Sequence, residues 1–125
     1  MKFTPDFEIP ADTEKNPLQQ FIDHGHLDVL GYDYEIVALP ESDRPVLDGQ
    51  CTSGKNRKLE YDPDLTGIAA DDVVMHEIVH AIDNILNLGL RECGVHRLGY
   101  AIGKVLRDNP HLVEYYQQSQ EYVHD

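Results

Sequence analysis

The spacing of apolar residues changes along the chain, and each change predicts a different element. Residues 1–28 hold three of the seven prolines and no sustained periodicity, which predicts an extended N-terminal arm with a short helix over Leu18–Ile22. From Val29 to Leu39 the sequence VLGYDYEIVAL alternates, placing Leu30, Tyr32, Tyr34, Ile36 and Ala38 on one side. Its Tyr, Ile and Val favour a strand, which ends at Pro40. ESDRP then reads as a loop. QCTS and RKLEY flank SGKN, whose Gly54 and Asn56 tolerate positive φ, so a hairpin follows.

Beyond Asp62-Pro63-Asp64 the period lengthens to that of a helix. Thr66 can cap one that runs to about Leu88 and stops at Gly89. A second helix opens near Arg91, carries Val95, Leu98, Ile102, Val105 and Leu106 on one side, and ends at Asp108-Asn109. Pro110 suits the first turn of a third, HLVEYYQQSQEYV, with Asn109 as its cap. Strands followed by helices predict an α+β fold in which a short antiparallel or mixed sheet packs on the long helix and its successor. Residues 29–125 then form one domain and residues 1–28 an arm; no internal repeat or low-complexity segment is present.

Length and composition narrow the function classes. A chain of 125 residues can bury roughly two thirds of its unfolded surface in one core. No stretch approaches the roughly 20 apolar residues needed to cross a bilayer. The opening MKFTPDFEIP lacks the apolar run of a secretory signal, so a cytoplasmic location is expected. Cys51 and Cys93 match neither a redox pair nor a zinc-finger spacing and read as free thiols; export would instead allow them to pair. The formal charge of −13 repels nucleic-acid phosphates and anionic lipid, which favours a cation or a positively charged peptide as partner.

The chemistry concentrates in the long helix. His76-Glu77-Ile78-Val79-His80 is an HExxH segment, and residues four apart on a helix share a face, so both imidazoles can point at one ion. Glu77 lies about 100° round the helix from His76, beside the metal rather than in the same column, where it can act as general base toward a metal-activated water. Val74, Met75, Ile78, Val79, Ala81, Ile82, Ile85 and Leu86 cluster on the far side. Asp83 continues the His76, His80 column and is positioned to orient an imidazole. With seven His and nine Glu in the chain, an HExxH segment arises by chance with a probability of roughly 3%.

Two histidines hold zinc weakly, and a catalytic site usually has three protein ligands with one position left open. Glu92, at the start of the second helix, is the leading candidate for the third. His96, one turn later on the same face, is its rival, and Asp83 is a further alternative. Gly99 and Gly103 extend the Glu92, His96 column, and their missing side chains permit close helix approach at a propensity cost of roughly 1 kcal/mol each. Tyr100 is close enough in angle to stabilise an oxyanion, although a partly buried structural tyrosine accounts for it as well. Asp23, His24 and His26 in DHGH have metal-binding composition without helical spacing and read as a solvated loop; His111 and His124 are isolated.

MHEIVHAID, followed by LGLRE, VHRLG and VLRDNP, resembles small phage and bacterial HExxH proteins of the ImmA/IrrE-like or SprT-like metallopeptidase groups. The resemblance spans roughly Val29 to Pro110. It implies a minimal zincin-like fold with zinc held by His76, His80 and Glu92 and with Glu77 as the catalytic acid and base. Cys93, Gly94 and Val95 stand where ImmA-type proteins carry an Ala-Asn pair, so a repressor-cleaving role is not implied. Asp83 and Leu86 occupy the positions where metzincins need Gly and His. The expected function is zinc-dependent hydrolysis of a peptide bond in a protein or peptide substrate. The alternative is a non-catalytic zinc-binding or inhibitor-like interaction protein, and a small-molecule amidase is a third reading.

Overall fold

Asn16 caps the first helix: its side-chain oxygen accepts the N–H of Gln19 at 2.7 Å, and Pro17 fits the first turn. The computed structural model describes residues 16–120, which form an α+β fold. In chain order the elements are α1 (Pro17–His24), β1 (His26–Val29), β2 (Tyr32–Ala38), a 3-10 turn (Glu41–Asp43), β3 (Gly49–Thr52), β4 (Lys58–Tyr61), α2 (Gly67–Leu86), α3 (Glu92–Asp108) and α4 (Pro110–Ser119). The strands form one mixed sheet in the order β1-β2-β4-β3. β1 pairs antiparallel with β2, β2 parallel with β4, and β3 antiparallel with β4.

The described part of the expected arm is built into the core. Leu18 and Ile22 of α1 and Val29 of β1 are buried with Tyr34, Ile36, Leu59, Tyr61, Ala70 and Ala81. Each fully buried aliphatic side chain contributes on the order of 1.5–3 kcal/mol. The short helix expected over Leu18–Ile22 is α1, but an eight-residue helix and a four-residue strand are too short to display a period, which is why the segment around them read as an extended arm. Residues 1–15 of that arm lie outside the described residues.

The single strand expected over Val29–Leu39 is a hairpin instead. Leu30 (φ 55) and Gly31 (φ 90) form a two-residue turn with positive φ at both positions, the kind that matches the twist of paired strands. Leucine rarely takes that conformation. Here the Asp28 carboxylate accepts the Gly31 N–H at 2.7 Å and helps hold the turn. Tyr34 and Ile36 are buried at 1% and 2% exposure as the alternation predicts, whereas Leu30 and Tyr32 at the turn are exposed. The β3–β4 hairpin forms as expected, in register from Gly49↔Tyr61 to Thr52↔Lys58.

Helix α2 stops two residues before the expected Gly89, because Asn87 takes the left-handed conformation (φ 56, ψ 50) and ends it. α3 turns its apolar stripe the other way from the simplest expectation. Leu98, Ile102 and Val105 are exposed at 44%, 36% and 49%, while Val95 and Gly99 are buried. Small residues on the glycine side allow a closer approach than branched ones, and that side faces α2. Residues 121–123 of the third predicted helix lie outside the described residues. Among the described residues no helix is long and apolar enough to cross a membrane.

Candidate metal centre

Helix α2 has two buried sides and one open one. Ala70, Val74, Ala81, Ile78 and Ile85 pack in the cluster built on the sheet. On another side α3 approaches so closely that a methyl group on Gly99 would sit 3.2 Å from both Cα and N of His76 and 3.4 Å from the Met75 carbonyl carbon. Between these sides the column of His76 and His80 faces a cleft, with ring centroids 4.9 Å apart.

The chain reverses after α2 and delivers Glu92, the first residue of α3, onto that column. Glu92 Oε2 lies 2.7 Å from His76 Nε2, and Oε1 lies 3.1 Å from His80 Nε2. His76, His80 and Glu92 can hold a metal ion: their donor atoms all lie within 4.8 Å of one another. Donors about 2.0–2.2 Å from a tetrahedral zinc stand about 3.4 Å apart, so the 2.7 Å and 3.1 Å contacts need to open by about 0.7 and 0.3 Å to receive it. Two imidazole nitrogens and a carboxylate oxygen also match its chemical preference.

The close contact at Gly99 sets the distance between the two helices that supply the donors. Gly99→Ala is expected to force α3 outward against the His76 backbone, with overpacking of about 1–3 kcal/mol exceeding most of the roughly 1 kcal/mol gained in helix propensity. Affinity for a metal ion held by His76, His80 and Glu92 should fall about tenfold. A methyl on Gly103 meets only Met75 Cβ at 3.8 Å, so Gly103→Ala should stabilise the fold by about 0.5–1 kcal/mol and leave affinity intact. Thermal unfolding and a zinc competition titration check both.

Glu77 lies between the ligand column and the core, 7% exposed. Burial pushes its carboxyl up to about 7, with His80 opposing and Glu92 adding to the rise. A cavity of about 360 Å³ opens in front of it, lined by Asp48, Asp72, His76, Glu77, Glu92 and His96 among others. Strand β3 forms one wall. Gly49 passes so close to α2 that a Cβ there would lie 2.8 Å from Val73 Cγ1 and 3.2 Å from Glu77 Cγ.

Behind Glu77 stand Tyr61 and Cys51. The Tyr61 hydroxyl donates to the Val74 carbonyl at 3.1 Å, and burial holds its phenol well above the usual tyrosine range, with the charges of Glu77 and Cys51 adding. Burial also pushes the Cys51 thiol up to about 11, against a lowering hydrogen bond with Ser53 and with a further rise from Glu77. Cys51 and Cys93 are both free, and Cys93 is exposed. At pH 8 the thiolate fraction of Cys51 is then about 10⁻³. Iodoacetamide is therefore expected to alkylate Cys93 within minutes and Cys51 at least ~10²-fold more slowly, as peptide mass spectrometry would record.

The other candidates fall elsewhere. His96 lies beside the centre, its ring centroid 6.1 Å from that of His76, but it is not one of the three converging donors. Asp83 does not meet an imidazole in the described contacts; its carboxylate accepts the Leu90 N–H at 3.3 Å and braces the turn that delivers Glu92. Tyr100 is 46% exposed and does not line the cavity. DHGH is not a loop cluster: Asp23 and His24 end α1, while His26 opens β1 with its Nδ1 3.1 Å from Asp33 Oδ2. His111 is exposed, and His124 lies outside the described residues. Sequence reasoning missed Asp48, Gly49 and Asp72. Asp72 had one signal, its place one turn before His76 in the same column; Gly49 opens the distant strand β3 and Asp48 immediately precedes it.

No protein-family model, curated protein or solved structure matches the chain. The functional reading therefore rests on the geometry of the site and on the motif that builds it.

Proposed function

We propose that the chain is a zinc-dependent hydrolase that cleaves a peptide bond, with the metal held by His76, His80 and Glu92 and with Glu77 as general base. The observation that carries this reading is the convergence of three donors from two helices beside a buried carboxylate facing the same cavity. Three protein donors leave one position of a tetrahedral site open, which distinguishes catalytic from structural zinc. Zinc bound there supplies Lewis acidity toward a carbonyl oxygen and brings the pKa of a water toward neutrality.

The chain's own groups do the remainder. A Glu77 carboxylate oxygen accepts the proton of the attacking water and passes it to the leaving amine. β3 is an edge strand whose Gly49 abuts Glu77, so an extended substrate can add to the sheet there and bring its scissile bond to the cleft. A short sheet, an HExxH helix and a following helix with the third donor are what the resemblance to ImmA/IrrE-like and SprT-like proteins implies, and we extend the proposal to that minimal zincin group.

The test is metal content followed by hydrolysis. Protein purified without added ions should carry about one zinc per chain and cleave members of a quenched fluorescent peptide library, and chelation should remove both properties. Zinc retained without cleavage of any peptide would favour the non-catalytic reading. Failure to bind zinc at all would sink both.

A further inference from the structure

Gly49 opens the edge strand β3 and fits into a notch on α2. Val73 and Glu77 form that notch, because residues four apart on a helix lie one above the other on the same face. A side chain at position 49 has no room there. Its Cβ would stand 2.8 Å from Val73 Cγ1, 3.2 Å from Glu77 Cγ and 3.2 Å from the Glu60 carbonyl oxygen.

Two of those three neighbours are held firmly. Glu60 belongs to β4, which pairs with β2 on one side and β3 on the other, so the sheet fixes its carbonyl. Val73 is partly buried against the core, and a β-branched side chain on a helix has one strongly favoured rotamer. The strand is tied as well. Before its first residue the Asp48 carbonyl accepts the Asp62 N–H at 2.9 Å, and just beyond its end Ser53 Oγ accepts from Asn84 Nδ2 of α2 at 2.8 Å. Glu77 is left to give way, because rotation about its own side-chain bonds moves Cγ and carries the carboxylate with it.

We infer that Gly49 is a positioning residue for the general base: its bare backbone leaves Glu77 in the rotamer that lines the cavity shared with His76 and Glu92. The catalytic half of this assignment rests on the hydrolase reading above; the placement of Glu77 does not. Displacing a catalytic group by about 1 Å costs on the order of 10²-fold in rate, so a single methyl group on the wall opposite the base is enough to disable it.

The experiment uses the full chain loaded with zinc. Gly49→Ala should lower kcat on a cleaved peptide by about 10²-fold, with KM and zinc content within about threefold of wild type. Adding Val73→Ala removes the 2.8 Å obstacle, lets the new methyl lean away from Glu77, and should return kcat to within about threefold. Asn84→Ala loosens the same strand on the same helix, about two turns beyond Glu77, and should change kcat by less than about threefold. A crystal structure of Gly49→Ala reads the placement without turnover, and should show Glu77 in a changed rotamer with β3 in place. An unchanged kcat overturns the inference, as does no rescue by Val73→Ala, an equal loss in Asn84→Ala, or a shifted β3 beside an unmoved Glu77. Should Gly49→Ala fail to fold, adding Glu77→Ala removes the crowded Cγ and should restore folding; no rescue overturns the inference. If the wild-type protein cleaves no peptide, the hydrolase reading fails, and the crystal structure decides the placement of Glu77 by itself.

Discussion

Replacing Glu77 with glutamine is expected to lower peptide hydrolysis by about 10²–10⁴-fold while zinc content stays that of the wild type. The substitution keeps the shape of a side chain that is 7% exposed, so packing against Gly49 changes little. It removes only the capacity to accept a proton. The donors at His76, His80 and Glu92 are untouched, and Glu77 is not one of the three converging residues. Steady-state kinetics on one cleaved peptide, with metal analysis of the same preparation, checks both halves. An active variant would remove Glu77 from the role of base; a variant without zinc would mean that its carboxylate helps to hold the metal.

The second large effect is expected from Glu92→Ala, which should weaken zinc binding by at least ~10². Loss of an outer partner of a ligand already costs about 10–100-fold, and Glu92 is proposed as a direct donor. The fold should survive, because the Glu92 side chain is 69% exposed. The exposed change removes a negative charge from the first turn of α3, a stabilising placement worth about 0.3–1 kcal/mol. His96 supplies the internal comparison. Its ring lies 6.1 Å from that of His76, so His96→Ala should leave affinity within about threefold. Competition titration with a zinc chelator measures both variants. The reverse ranking would make His96 the third ligand and would require α3 to rotate.

Much of the site was legible because it is helical and local. His76 and His80 share a face by backbone geometry alone, and the apolar residues opposite them are buried or half-buried, with exposed Leu86 as the exception. Glu92 was legible for a weaker reason, since a helix that reverses after a short turn returns alongside the first. Gly99 was informative in the same way: a glycine inside an amphipathic helix costs stability unless something needs the space, and the His76 backbone occupies it. What misled was short or atypical. Leu30 stands where a hairpin turn normally takes Asn or Gly, so two strands read as one.

The sequence by itself determined the α+β class, the β3–β4 hairpin, and a long helix with two histidines on its polar face, because each follows from periods and turn preferences within a few residues. Tertiary structure alone decided that α1 and β1 belong to the core and that the α3 glycine side meets α2. It also brought Glu92, rather than His96 or Asp83, into the group with His76 and His80 that could hold a metal ion. Asp48 and Gly49 joined the same cavity by the same route. Those outcomes depend on how closely surfaces distant in sequence can approach, and a Cβ present or absent at Gly49 and Gly99 governs that distance.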